Sequence, residues 1–269
     1  MTSPRSPSGS ARAATTSPLG RTTSTRRKPA SSAQRPLAVI VASGGMDSTV
    51  CISIAVDEGF EPALFHLDYG QRTERRERRA FRALARHFGA RHTLVVKAAH
   101  FRQIGGSALT DHRIAVPTGR AAARATARAT AGHGLPVTYV PFRNANILAM
   151  AVSWAEVIGA TRVYIGAVEE DSSGYPDCRE TFIRAFDRAI KAGTGAGHAL
   201  SLKAPLLHLS KKEIVRWGMS LGTPFHLTWS CYQREDLACG ECDSCRLRLR
   251  GFRQAGFMDP LPYARNEQG

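Results

Sequence analysis

No window of this 269-residue chain approaches the ~18 consecutive apolar residues that a membrane-spanning helix requires, so none is expected. Aromatic residues are sparse, at 7%, and aliphatic ones plentiful, as in a soluble α/β protein. Acid is scarce as well: 22 Asp and Glu face 37 Lys and Arg, a net charge of +15, and residues 1–36 contain no acid at all. That segment is Ser-, Thr-, Pro- and Ala-rich with Arg5, Arg12, Arg21, Arg26, Arg27, Lys28 and Arg35, and it has too little apolar surface to offset its chain entropy. It is expected to be a disordered basic tail. Its twin arginine lacks the apolar core of an export signal, which points to the cytoplasm. Because much of the charge lies in this tail, nucleic acid is not expected as the primary partner. Of the six cysteines, Cys231, Cys239, Cys242 and Cys245 crowd into fifteen residues, which suits a metal site in a reducing compartment better than a disulfide framework.

What is present alternates. Residues 37–42, 62–67, 92–97, 162–167 and 200–207 are short apolar runs with strand character. Between and after them, 48–58, 73–89, 144 onward, 179–191 and the stretch opened by Ser210 have helical spacing, and Ser210 forms a capping box with Glu213. Residues 98–137 break the rhythm and are expected to form a mobile loop, although their alanines suit a short helix. Strands alternating with helices predict an α/β fold, a Rossmann-like parallel sheet with helices on both faces. The expected divisions are the tail 1–36, a nucleotide-binding domain 37–228 and a small cysteine-bearing subdomain 229–269.

The first strand runs into Ser43-Gly44-Gly45-Met46-Asp47-Ser48, where such folds bind ligands. Paired glycines let backbone N–H groups approach an anion, and the following helix N-terminus adds partial positive charge. Ser43 and Ser48 offer hydroxyls; Asp47 would repel phosphate unless a divalent cation lay between them. The loop lacks the lysine of a P-loop and the third glycine of a dinucleotide fingerprint. Four thiolates spaced C-x7-C-x2-C-x2-C fit tetrahedral Zn²⁺ with no open position, with an iron–sulfur cluster as the rival. Cys51 is expected in the core, while Cys178 lies in the polar loop 168–178, where a chemical role stays open. Lys203 and Lys211 are expected at the surface.

"SGGMDST", "DYGQR" (68–72), "PFRNANIL" (141–148), "SGYPDCR" (173–179) and "TWSCY…CGECDSCRLR" (228–248) follow one another in order. Together they resemble the 7-cyano-7-deazaguanine synthases of the QueC type, within the PP-loop ATP pyrophosphatases with their adenine nucleotide alpha hydrolase-like fold. The resemblance implies a ligase that adenylates the carboxylate of 7-carboxy-7-deazaguanine and aminates it with ammonia. It then activates and dehydrates the amide, releasing AMP and pyrophosphate. ATP, Mg²⁺ and Zn²⁺ are the implied cofactors, and a homodimer the implied assembly. Ala42, Ser43, Gly44, Gly45, Met46, Asp47, Ser48, Asp68 and Gln71 would hold the nucleotide and Mg²⁺. Asp47, Ser43 and Arg143 would carry catalysis, and Arg143, Glu169, Asp171, Tyr175 and Asp177 would bind the deazaguanine. Cys231, Cys239, Cys242 and Cys245 would ligate zinc. The chain departs from the family at Phe142, where glycine is common, and in an enlarged stretch between Leu109 and Pro136. Too few residues remain for a glutaminase domain, so ammonia must arrive free or from another protein. Another AMP-forming PP-loop ligase or tRNA-modifying enzyme is the alternative. A zinc-knuckle nucleic-acid binder is a second.

Overall fold

Alternate residues of the central strands feed two different helix layers. In the computed structural model, which describes residues 35–130, 134–169 and 174–264, five strands form one parallel sheet. They are β1 (Leu37–Val41), β2 (Glu61–Asp68), β3 (His92–Lys97), β4 (Arg162–Tyr164) and β5 (Ser201–Lys203), in the spatial order β3-β2-β1-β4-β5. Val39 pairs with Ala63 on one side and Val163 on the other, which places β1 at the centre. Val39, Ala63, Phe65 and Val163 pack under α5 (Arg143–Ile158) and α6 (Glu180–Gly193). Ala38, Ile40, Leu64 and Tyr164 face α1 (Met46–Asp57), α2 (Glu74–His87), α7 (Lys211–Ser220) and α8 (Asp243–Ala255). Burial on both faces explains why these strands read as continuous apolar runs.

Some elements differ from expectation for local reasons. β5 stops at Lys203 rather than near 207, because Pro205 cannot donate to a ladder. β4 stops at Tyr164, and Gly166 beyond it lies against the first turn of α1. The stretch expected to be a mobile loop holds α3 (His100–Ile104), which was not expected, and α4 (Gly119–Thr130), the short helix its alanines suit. The Ser210 capping box is present in full. Cys51 is buried in the second core layer, as expected. No described helix is long and apolar enough to cross a membrane.

Candidate active site

Chain direction puts the C-terminal ends of β1, β2 and β4 on one rim, and a cavity of about 230 Å³ opens there. Ser43, Gly45, Met46, Asp47 and Ser48 form one wall. The loop is tied to itself: the Ser43 and Ser48 hydroxyls are 3.1 Å apart, the Gly45 N–H donates to Ser43 Oγ, and Ser48 Oγ and Thr49 Oγ1 both reach the Gly45 carbonyl. Gly44 has φ +85°, and a Cβ there would meet the Glu77 carbonyl at 2.9 Å, so only glycine fits. Gly166 is equally constrained, with an added Cβ 2.9 Å from the Ser48 nitrogen. Close approach of β4 to α1 thus sets the depth of the loop.

Asp47 sits in the first turn of α1. One carboxylate oxygen accepts a 2.6 Å bond from Lys211 Nζ; the other is buried with no hydrogen-bond partner among the described residues. Lys211 is therefore not at the surface as expected: its side chain is 7% exposed and lines an adjoining cavity of about 170 Å³. A lysine in the first turn of a helix reads as solvated because nothing local reveals Asp47, 164 positions away.

Arg143 faces both cavities from the start of α5. Its guanidinium has one hydrogen bond among the described residues, to the Tyr69 hydroxyl at 3.1 Å, with the Tyr69 ring 5.4 Å from its centre. A cation held by a phenol and not by a carboxylate keeps its charge available to a ligand. Behind it Glu77 accepts from Thr73 and Gln71, and burial raises its carboxyl above the usual range. Gln71 also receives the Tyr69 N–H. Neither Gln71 nor Asp68 lines the cavity. Asp68 is buried against His66, whose other ring nitrogen meets the Ala42 carbonyl at 2.8 Å. Both residues support the loop from behind.

The polar loop after β4 divides its expected residues. Tyr175 lines the smaller cavity, with its hydroxyl 2.9 Å from Thr138 Oγ1. Asp177 Oδ2 accepts the Asn144 N–H at 2.9 Å and so caps α5; Glu169 accepts the Glu180 N–H at 3.0 Å and caps α6. Both carboxylates spend an oxygen on helix ends, which orients Arg143 and the loop. Asp171 lies outside the described residues. Cys178 lines both cavities, and burial pushes its thiol up to about 11.

The cysteine knuckle forms the far wall. Trp229, Ser230, Tyr232 and Ser244 line the larger cavity; they lie within the cysteine motif, whose spacing points only to the metal ligands. The Trp229 N–H donates to the Gly44 carbonyl at 2.7 Å, which joins the knuckle to the glycine loop. The sulfurs of Cys231, Cys239, Cys242 and Cys245 all lie within 4.8 Å of one another, near the edge of about 3.8 Å of a tetrahedral zinc–thiolate site. Backbone N–H groups of Gln233, Arg234 and Cys239 point at Cys231 Sγ, and those of Glu241 and Cys242 at Cys239 Sγ. Such donors stabilise thiolates, so a soft divalent metal fits.

A family model described as "Queuosine biosynthesis protein QueC" matches residues 37–256. The 7-cyano-7-deazaguanine synthase of Koribacter versatilis is 58% identical, over 84% of this chain and 93% of its own length. That of Acidobacterium capsulatum is 53% identical, over 86% and 98%. Among solved structures, a 4-thiouridine synthetase–RNA complex with bound ATP aligns at 18% identity and a TM-score of 0.44, over 70% of this chain and 41% of that one.

Proposed function

The chain belongs to the QueC family, and from that premise we propose how its cavity performs the family's reaction. Its function is the ATP-dependent conversion of 7-carboxy-7-deazaguanine and ammonia to 7-cyano-7-deazaguanine. The observation that carries the assignment to this cavity is that the glycine loop, Asp47 and Arg143 line it together.

The backbone of Ser43–Ser48 and the N-terminus of α1 receive the pyrophosphate end of ATP. The unpartnered Asp47 oxygen suits a divalent cation, which when bound would neutralise phosphate charge. Lys211 holds the other oxygen and presents a second positive group to the departing pyrophosphate. Arg143 orients the substrate carboxylate so that its oxygen attacks the α-phosphorus as pyrophosphate leaves. Ammonia then adds to the activated carbon and AMP departs with one carboxylate oxygen. The amide oxygen then attacks a second α-phosphorus as pyrophosphate leaves, and departure of AMP with that oxygen, with loss of both protons from nitrogen, leaves the nitrile. Tyr175 offers a ring to the heterocycle from the smaller cavity. Positioning and charge neutralisation supply the rate in this scheme.

The knuckle takes zinc, the chain works in the cytoplasm as a homodimer, and small molecules are its primary partners. Sedimentation at micromolar concentration checks the dimer, with a monomer counting against it.

Substrate labelled with ¹⁸O in its carboxyl group tests the chemistry: the label is expected in AMP, and its absence there sinks the scheme. Asp47→Asn keeps the side-chain shape and is expected to lower turnover about 10²–10³-fold with unchanged circular dichroism.

A further inference from the structure

The synthase reaction gives no role to the chain's charge. We propose that the outer faces of α2 and α4 form a docking surface for the phosphodiester backbone of a nucleic-acid duplex. On α2, Arg75, Arg78, Arg79, Arg82 and Arg86 line a shallow groove to which no other residue type contributes. Apart from the adjacent Arg78 and Arg79 they recur three or four residues apart, which sets them on one helical stripe about 16 Å long. The acids of α2 neutralise one arginine of the five. Glu77 turns inward to Gln71 and Thr73, and Glu74 pairs with Arg78. Arg75 pairs with Glu235 at 3.3 Å, whereas Arg79, Arg82 and Arg86 are exposed and form no ion pair among the described residues.

The second helix repeats the pattern. In α4, Arg120, Arg124 and Arg128 are exposed at four-residue spacing, and the helix contains no acid. Like charges at that spacing destabilise a helix by a few tenths of a kcal/mol per pair. An anion lying alongside offsets this cost in both helices. Both adjoin the knuckle: Glu235 accepts the Arg75 and Arg76 N–H groups, and the Gly119 N–H donates to the Glu241 carbonyl at 3.0 Å.

The chemistry selects the partner. A protein interface needs an apolar centre, and the groove has none. A single strand is gripped by stacking on aromatic rings, also missing from the lining. Guanidinium groups alone suit phosphates, read without regard to sequence.

The test uses the full chain and a fluorescein-labelled 20-base-pair duplex, as RNA and as DNA, with poly-glutamate as competitor, by anisotropy from 50 to 200 mM KCl. Binding that weakens linearly on a log–log salt plot is expected. The triple variant Arg79→Gln, Arg82→Gln, Arg86→Gln should bind at least tenfold more weakly at 50 mM KCl, with a salt slope smaller by about 2–3 and unchanged synthase turnover. Equal binding of RNA and DNA supports a general backbone site; RNA preference supports it and names the source. The proposal is overturned if the triple variant binds like the parent, which would place binding in residues 1–34. It is also overturned if no duplex binds at 50 mM KCl, or if poly-glutamate displaces duplex at equal charge concentration.

Discussion

Phe142 is the one non-glycine described residue with positive φ, at +54°, and it stands immediately before the Arg143 that faces both cavities. Left-handed backbone costs a residue with a Cβ about 1–2 kcal/mol. Phe142 recovers part of this: its N–H donates to the Tyr139 hydroxyl, and its ring meets Phe182 edge-on at 6.1 Å. With the ring 60% exposed, that contact is small. Phe142→Gly is therefore expected to hold or raise the melting temperature by about 2–4 °C, while Phe142→Ala, which keeps the strain and loses the ring, lowers it; thermal melts of the pair decide. The motif exposed the departure from glycine, and only φ shows its cost. Cys178 gives a second residue-scale prediction. With its thiol moved from 9.0 to about 11, the thiolate fraction at pH 8 falls about a hundredfold. Iodoacetamide at pH 8 should therefore modify Cys178 far more slowly than an exposed thiol, as read by peptide mass mapping. The same shift adds stability below about pH 9 that is lost as pH rises towards 11.

At the scale of elements, α1 and α2 are legible because each pairs helical spacing with a glycine stop, and the strands because each is a short apolar run; β3 matches its expected span of 92–97. Contacts between elements were not. Glu169 and Asp177 read as acids for the heterocycle, and the composition of an acidic loop beside a cleft does not disclose that each also caps a helix. Their capping became visible only once α5 and α6 were placed beside them. Lys211 was hidden for the same reason. Within an apolar run Gly166 carries no signal of its own, although its missing side chain admits the first turn of α1. Gly166→Ala should force β4 and α1 apart, with a loss of about 1–3 kcal/mol by urea melt and a higher KM for ATP. An unchanged KM would detach this contact from the nucleotide site.

On the scale of the whole molecule, the two strongest sequence signals, the glycine loop and the four cysteines, lie almost two hundred residues apart and read as independent features. The fold joins them. Arg248 strengthens the join from below: buried, it forms paired bonds to Asp259 at 2.7 and 2.9 Å and reaches Thr228, just before the knuckle. Removing metal with a chelator should thus do more than loosen a peripheral subdomain. Expected is at least a tenfold rise in the Kd for ATP by calorimetry, alongside a lower unfolding midpoint, and an unaltered Kd would refute the connection. The Trp229–Gly44 bond has a wider consequence, because thermodynamic coupling runs both ways. If the ion tightens nucleotide binding through that bond, nucleotide must tighten binding of the ion by the same factor. A cell running short of that ion would lose it first from idle copies of the enzyme, and those at work would be the last to give it up.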